Sequence, residues 1–117
     1  MRTLLNESVH NQLIQGLVTQ LTSEGYYVQA DHIGHPNGSP STVNGYIPDI
    51  YAIKGTSRII AEAETEDSIS TDQTRQQWSA FSRTNASFHV IVPQRALSAA
   101  QNQANLWGIN VAKWWYL

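Results

Sequence analysis

Two short apolar runs that carry carboxylates constrain the fold of this chain more than any other feature. Residues 47–52 read IPDIYA and residues 59–64 read IIAEAE. Their β-branched residues predict two buried strands, yet both runs contain acidic side chains. Ionised carboxylates are seldom buried without a partner. The two runs therefore predict a sheet that holds a charged site.

Acidic residues outnumber basic ones in this part of the chain. Residues 47–67 contain two cations, Lys54 and Arg58, and five carboxylates, which are Asp49, Glu62, Glu64, Glu66 and Asp67. A bound divalent metal ion is a natural source of the missing positive charge, because hard cations take carboxylate oxygens as ligands. This imbalance favours a metal-dependent site.

Composition limits the class of protein. A chain of 117 residues fits a single domain with its own core, and the absence of cysteine excludes disulfides and thiolate metal sites. No stretch approaches the roughly 20 apolar residues of a membrane span, and the N-terminus lacks a signal-peptide pattern. We therefore expect a cytoplasmic protein without a membrane segment. The net charge of −2, with seven scattered basic residues, is a poor footprint for strong non-specific DNA binding.

The pattern of apolar, capping and turn residues predicts one α/β domain over residues 1–117. We expect three helices and five strands in the order α-β-β-β-α-β-α-β, with helices on both faces of a mixed sheet. The predicted helices cover 4–23, 71–84 and the segment from Pro93 to Gly108. The predicted strands cover 26–30, 47–54, 58–65, 88–92 and 109–115, and 35–46 is expected to be a loop.

Gly55 and Thr56 predict the register of the central hairpin. Glycine suits the first position of a two-residue type II′ turn, which would pair residues whose numbers sum to 111. Asp49 would then lie opposite Glu62, with Cβ atoms about 4.5 to 5.5 Å apart, and Glu64 would share their face. A shift of one residue would send Asp49 to the other face.

This arrangement predicts a metal site. Asp49 and Glu62, with the carbonyl of Ala63 and the carboxylate of Glu64, offer the hard oxygen ligands that Mg²⁺ takes. Glu7 lies seven residues before Ile14 and so almost in line with it on the first helix, where it could direct a fourth carboxylate toward the sheet. A favourable anion in the first turn of that helix is an equal interpretation of Glu7.

Pro48-Asp49 followed by Glu62-Ala63-Glu64 resembles the PD-(D/E)XK nuclease superfamily, and the order of elements resembles its small members, the archaeal Holliday-junction resolvases. The resemblance implies a restriction endonuclease-like fold and a homodimer that cleaves DNA, branched or single-stranded, with Mg²⁺ or Mn²⁺. It also implies a polar residue on the following helix that faces the site, for which we choose Gln77. Glu64 stands where most members have lysine, and some restriction enzymes carry glutamate there.

Other interpretations of the same residues remain. The acidic residues could be the solvated face of a sheet, or the domain could be an inactive nuclease fold that serves as a binding module. Glycoside hydrolysis by paired carboxylates needs a sugar cleft for which the chain has little room. His32 and His35 suggest zinc by their spacing, but without cysteine and with His10 and His89 distant in sequence, loop histidines without function are the simpler interpretation. The C-terminal aromatic residues 114–116 suggest a subunit interface.

Overall fold

This computed structural model describes residues 3–117 of the chain. They form three helices and five strands joined by loops. In chain order they are α1 (Leu4–Ser23), β1 (Tyr27–Ala30), β2 (Ile50–Lys54), β3 (Ser57–Ala63), α2 (Asp72–Ser82), β4 (Ser87–Val92), α3 (Leu97–Trp107) and β5 (Lys113–Tyr116), with a 3₁₀ turn at Gln94–Ala96 before α3. All five strands form one sheet in the spatial order β1-β2-β3-β4-β5. Strand β2 runs antiparallel to its neighbours β1 and β3, whereas β4 and β5 run parallel to β3. The predicted α/β class with a mixed sheet is confirmed.

Helix α1 has the bounds that its periodicity predicts. The side chain of Thr3 accepts a hydrogen bond from the backbone amide of Asn6 and so caps the first turn. The helix ends at Ser23, and Gly25, two residues later, has a φ of +93° that favours glycine. Along residues 3–117, none of the helices combines the length and the apolar character that crossing a membrane requires.

The sheet has an apolar cluster on each face. Leu13, Leu17 and Leu21 of α1 pack on one face, against the small and branched side chains of the central strands. Trp78 and Phe81 of α2 pack on the other face together with residues of α3, and both aromatic side chains are fully buried, as their spacing predicts. The sheet therefore separates α1 from α2 and α3.

The central strands are shorter than predicted at the end of the sheet that carries the acidic residues. Strand β2 begins at Ile50 instead of residue 47, and β3 ends at Ala63 instead of residue 65. Asp49 leaves the regular ladder because its backbone amide donates to the side chain of Glu62 instead of to a strand carbonyl. The helix α2 also ends earlier, at Ser82, and β5 begins later, at Lys113. The acidic residues thus lie where the regular strands stop.

Candidate metal centre

The register of the β2–β3 hairpin brings Asp49 and Glu62 together. Lys54 pairs with Ser57 and Ile50 pairs with Ala61, so the two-residue turn and the predicted register are confirmed. Asp49 lies one step beyond the last pair. Its amide donates to Glu62 Oε2 at 2.8 Å, and its Oδ2 accepts from the amide of Ala63 at 2.9 Å. These two hydrogen bonds between the neighbouring segments therefore hold the Asp49 and Glu62 carboxylates beside each other.

These carboxylates line a cavity of about 430 Å³ at the end of the sheet. There, β1 and β3 end and β2 begins, and both α1 and α2 contribute side chains. The lining residues come from α1, from the loops at this end, from β3 and from α2, and they are His10, His32, Ile47, Asp49, Glu62, Glu64, Asp67, Ser68, Thr71, Gln73, Thr74 and Gln77. In the described part of the chain, neither lysine nor arginine lines this cavity. We call it the acidic cavity.

Asp49 is buried, and two histidines lie at its carboxylate. His10 Nε2 lies 3.2 Å from Asp49 Oδ2, and His32 Nε2 lies 3.3 Å from Asp49 Oδ1. Burial alone would raise the pKa of Asp49, but the hydrogen bonds from His10 and His32 and from the Ala63 amide outweigh it and hold that pKa below its usual range. Asp49 is therefore the ionised member of the group.

Glu62 has the opposite electrostatic environment. Burial raises its pKa well above the ordinary value, and the negative charges of Asp49 and Glu64 raise it further. The amide of Asp49, which donates to Glu62, offsets only part of this effect. Without a cation in the cavity, Glu62 is thus driven toward its neutral form. The divergent pKa values of two adjacent carboxyl groups are typical of functional sites.

Glu64 is fixed by donors from α2 and the preceding loop. Its Oε2 accepts from the indole nitrogen of Trp78 at 3.1 Å, and its Oε1 accepts from the hydroxyl of Ser68 at 2.7 Å and lies 3.4 Å from that of Thr74. Glu64 is almost fully buried at 2 % exposure. These donors satisfy much of its carboxylate and fix its orientation relative to Glu62.

The remaining predicted residues differ in where they lie. Gln77 of α2 lines the acidic cavity, in the position expected of it. Ala63 is fully buried, and its amide donates to Asp49, while a metal-binding role for its carbonyl stays a prediction. Glu7 is exposed and lines a separate depression along α1 with Leu4 and Ser8, so the structure does not bring it to the other carboxylates.

The structure adds two histidines that the sequence interpretation set aside. The rings of His10 and His32 stand edge to face with centroids 5.2 Å apart, so the inference from sequence distance that His10 is remote is wrong. His10 could have been found from the pattern, because it precedes Leu13 and Leu17 by three and seven residues and so continues their buried stripe. His32 carries no comparable local signal.

The donors around the cavity fit a divalent cation, since carboxylates and neutral imidazoles are common metal ligands. Among the described residues, the ligand atoms of His10, His32 and Asp49 all lie within 4.8 Å of one another. A larger depression of about 710 Å³ on the other side of α2, lined by Arg75, Arg83 and Trp107 among others, has no carboxylate along it. The chain matches no protein-family model, no curated protein and no solved structure in comparisons with known proteins.

Proposed function

We propose that this protein is a metal-dependent endonuclease that hydrolyses DNA phosphodiester bonds. The observation that carries the proposal is the pair of hydrogen bonds, from the Asp49 amide to Glu62 and from the Ala63 amide to Asp49, in a cavity that also contains Glu64. Three carboxylates with no lysine or arginine beside them, among the described residues, call for a cation, and divalent cations in such sites serve phosphoryl chemistry. The spacing of Pro48-Asp49 and Glu62-Ala63-Glu64 supports the same conclusion.

A restriction endonuclease-like fold is part of this proposal. In its support, an antiparallel hairpin carries the acidic residues, a helix follows it, and β4 and β5 extend the sheet in parallel. Helices cover both faces of the sheet, with α1 alone on the face opposite α2 and α3. Residues from both sides can therefore meet at the end of the sheet where the acidic cavity lies.

In this proposal some residues bind the metal ion and others position the water or the phosphate. Asp49 and Glu62, with the carbonyl of Ala63, would hold Mg²⁺ or Mn²⁺, which supplies charge stabilisation at the phosphate and acidifies a bound water. Glu64, held by Trp78 and Ser68, would orient the attacking water. Gln77 reaches the cavity from α2 as a hydrogen-bonding partner for water or phosphate.

DNA and a second copy of the chain are the partners of the proposed enzyme. Cutting both strands of a duplex calls for two sites, which a symmetric homodimer supplies. Arg75 and Arg83 line the depression on the far side of α2 from the acidic cavity and give that helix a basic side. Two such sides in a dimer would contact the phosphate backbone where a single copy, with a net charge of −2, attracts it weakly.

The test is cleavage of plasmid, single-stranded and branched DNA with Mg²⁺ or Mn²⁺, and with a chelator. We expect cleavage only with the metal, and a loss of at least about 100-fold in Asp49→Ala. Glu7→Gln is the matched control, because Glu7 is an exposed carboxylate on α1 that lines a separate depression. Wild-type protein that is folded and cleaves none of these substrates would overturn the enzyme proposal.

An inactive nuclease-fold module is the second candidate. It is favoured by Glu64, which stands in place of the motif lysine and is already bound by donors from α2. Calorimetry separates the two functions, because an inactive module without a metal site would bind neither Mg²⁺ nor Mn²⁺ at millimolar concentration. Metal binding together with DNA cleavage excludes the module.

A further inference from the structure

Three side chains from separate parts of the chain converge on one side of the acidic cavity. His10 lies in the middle of α1, His32 lies in the turn after β1, and Asp49 is the residue just before β2. Both imidazole Nε2 atoms face the Asp49 carboxylate, one at each oxygen, at 3.2 and 3.3 Å. A single ion with ligand bonds of about 2.1 Å can reach donors in such a group after small side-chain rotations.

The contact at Nδ1 of His10 leaves the other ring nitrogen, Nε2, directed at Asp49 and available to a metal ion. The Nδ1 atom lies 3.3 Å from Asn11 Oδ1, an acceptor to which a protonated Nδ1 can donate. In that tautomer the lone pair of Nε2 faces Oδ2 of Asp49 at 3.2 Å. A metal ion between these two atoms would bind both. An outer hydrogen bond that fixes the tautomer is the usual arrangement around metal-binding histidines.

His32 is held in a strained turn that directs it to the same point. Its φ is +71°, and the amide of Ile33 donates to the carbonyl of Asp31 at 3.0 Å, which closes a three-residue turn around it. This is the rarer and more strained form of the γ-turn. The amide of Asp31 also donates to the carbonyl of Asp49 at 2.9 Å, so the turn is tied to the residue that its side chain approaches. Strain of this kind in a non-glycine residue is concentrated at functional sites.

We infer that His10, His32 and Asp49 bind one transition-metal dication, of the class that includes Mn²⁺, Co²⁺ and Zn²⁺, in preference to Mg²⁺. Two imidazoles and a carboxylate form a mixed nitrogen and oxygen donor set, which suits these ions, whereas Mg²⁺ selects oxygen ligands. Asp31 Oδ2 lies 3.4 Å from His32 Nε2 and supplies a neighbouring acceptor. The inference goes beyond the proposed function, because selective metal binding at these residues does not require DNA cleavage.

Titration of the metal-free protein with Zn²⁺, Co²⁺ and Mg²⁺ tests this inference. By calorimetry we expect one Zn²⁺ per chain, bound at least 100-fold more tightly than Mg²⁺, and a visible absorption spectrum of bound Co²⁺ that indicates nitrogen ligands. His32→Gly is the decisive variant, because glycine accepts the positive φ of this turn and the side chain of His32 is 48 % exposed. We expect it to lower Zn²⁺ affinity at least tenfold without a fall in melting temperature.

His35→Gln is the matched control, because His35 lies in the same loop but outside the three-residue group. It should retain wild-type Zn²⁺ and Co²⁺ binding. His10→Asn should weaken Zn²⁺ binding as strongly as His32→Gly does. The inference is overturned if the His10 and His32 variants, folded, bind Zn²⁺ like the wild type, or if Zn²⁺ and Mg²⁺ bind equally well.

The same titrations distinguish this inference from the proposed function. If Mg²⁺ binds through Asp49 and supports DNA cleavage while His10 and His32 have no influence on Zn²⁺ binding, the nuclease proposal stands and the inference is wrong. If Zn²⁺ binds through both histidines and no DNA is cleaved, the inference stands and the nuclease proposal is wrong.

Discussion

The acidic cavity and the aromatic cluster beside it use the same helix in opposite ways. The aromatic cluster consists of Trp78, Phe81, Phe88, Trp107 and Trp114, whose rings meet at centroid distances of 5.6 to 6.3 Å. The acidic cavity instead has the buried side chains of Asp49, Glu62, Glu64 and His10, together with the exposed His32. The two regions touch where Trp78 donates to Glu64.

The two regions contribute to the free energy of folding with opposite sign. Burial of aromatic surface favours folding by several kcal/mol for each ring. Burial of Asp49, Glu62 and Glu64 in one cavity costs folding free energy unless a cation compensates their charge. One side of α2 therefore stabilises the fold, and the other borders a cavity of buried carboxylates that costs folding free energy.

Trp78→Ala should have the largest effect on stability, because it empties the centre of the aromatic cluster and removes a donor from Glu64. We expect a loss of about 4 kcal/mol in the free energy of unfolding, measured with urea. Trp78→Phe separates the two contributions, because it keeps most of the packing but leaves Glu64 without the indole donor. We expect it to lower the free energy of unfolding by about 2 kcal/mol. Equal losses in both variants would show that the link to the cavity, and not packing, dominates.

His89 tests whether burial of a titratable group outside the acidic cavity also lowers the free energy of unfolding when that group becomes charged. Burial, with a smaller contribution from Lys113, lowers its pKa to about 4, and its Nδ1 accepts from the indole nitrogen of Trp115 at 3.0 Å. Since the folded state binds this proton less readily than the unfolded state does, the stabilisation is complete above about pH 6.5 and is lost as the pH falls toward 4.

His89→Gln keeps an acceptor for Trp115 but does not titrate. The stability of the wild type relative to this variant should fall by up to about 3 kcal/mol between pH 7 and pH 4, as urea unfolding at each pH would measure. A constant difference over this range would contradict a neutral, buried His89.

Glu62→Gln should stabilise the protein when a chelator removes metal ions. The pKa of Glu62 is raised, so its favourable contribution is present at low pH and is lost as the pH rises above its ordinary value. We expect the variant to gain about 1 to 2 kcal/mol over the wild type at pH 8, with little gain at pH 4, and to bind divalent ions more weakly. A variant that is less stable at pH 8 would show that the acidic cavity is not under electrostatic strain.

Thr71→Ala should have the smallest effect. The Thr71 hydroxyl caps α2 by accepting from the amide of Thr74 at 3.2 Å, and it stands at the rim of the acidic cavity. Loss of the cap should cost about 1 kcal/mol in thermal or urea unfolding, and Thr71→Ser should restore it. A much larger cost would mean that the rim of the cavity contributes to stability as the aromatic cluster does.

The local pattern of the chain determined α1, the central hairpin and the pairing of two carboxylates. The bounds of α1 follow from apolar residues at helical spacing, and the register of β2 and β3 follows from a glycine that permits a two-residue turn. Both rest on interactions among residues close in sequence. The approach of Asp49 to Glu62 followed from that register alone.

Only the tertiary structure decided which other groups reach the acidic cavity. His10 meets Asp49 across 39 positions of sequence, and Glu7, on the same helix, faces solvent instead. The rotation of α1 about its axis is set by the packing of its leucines on the sheet, and the direction of His32 is set by a turn bonded to the residue before β2. These placements depend on how distant segments pack, and a linear pattern contains no measure of that packing.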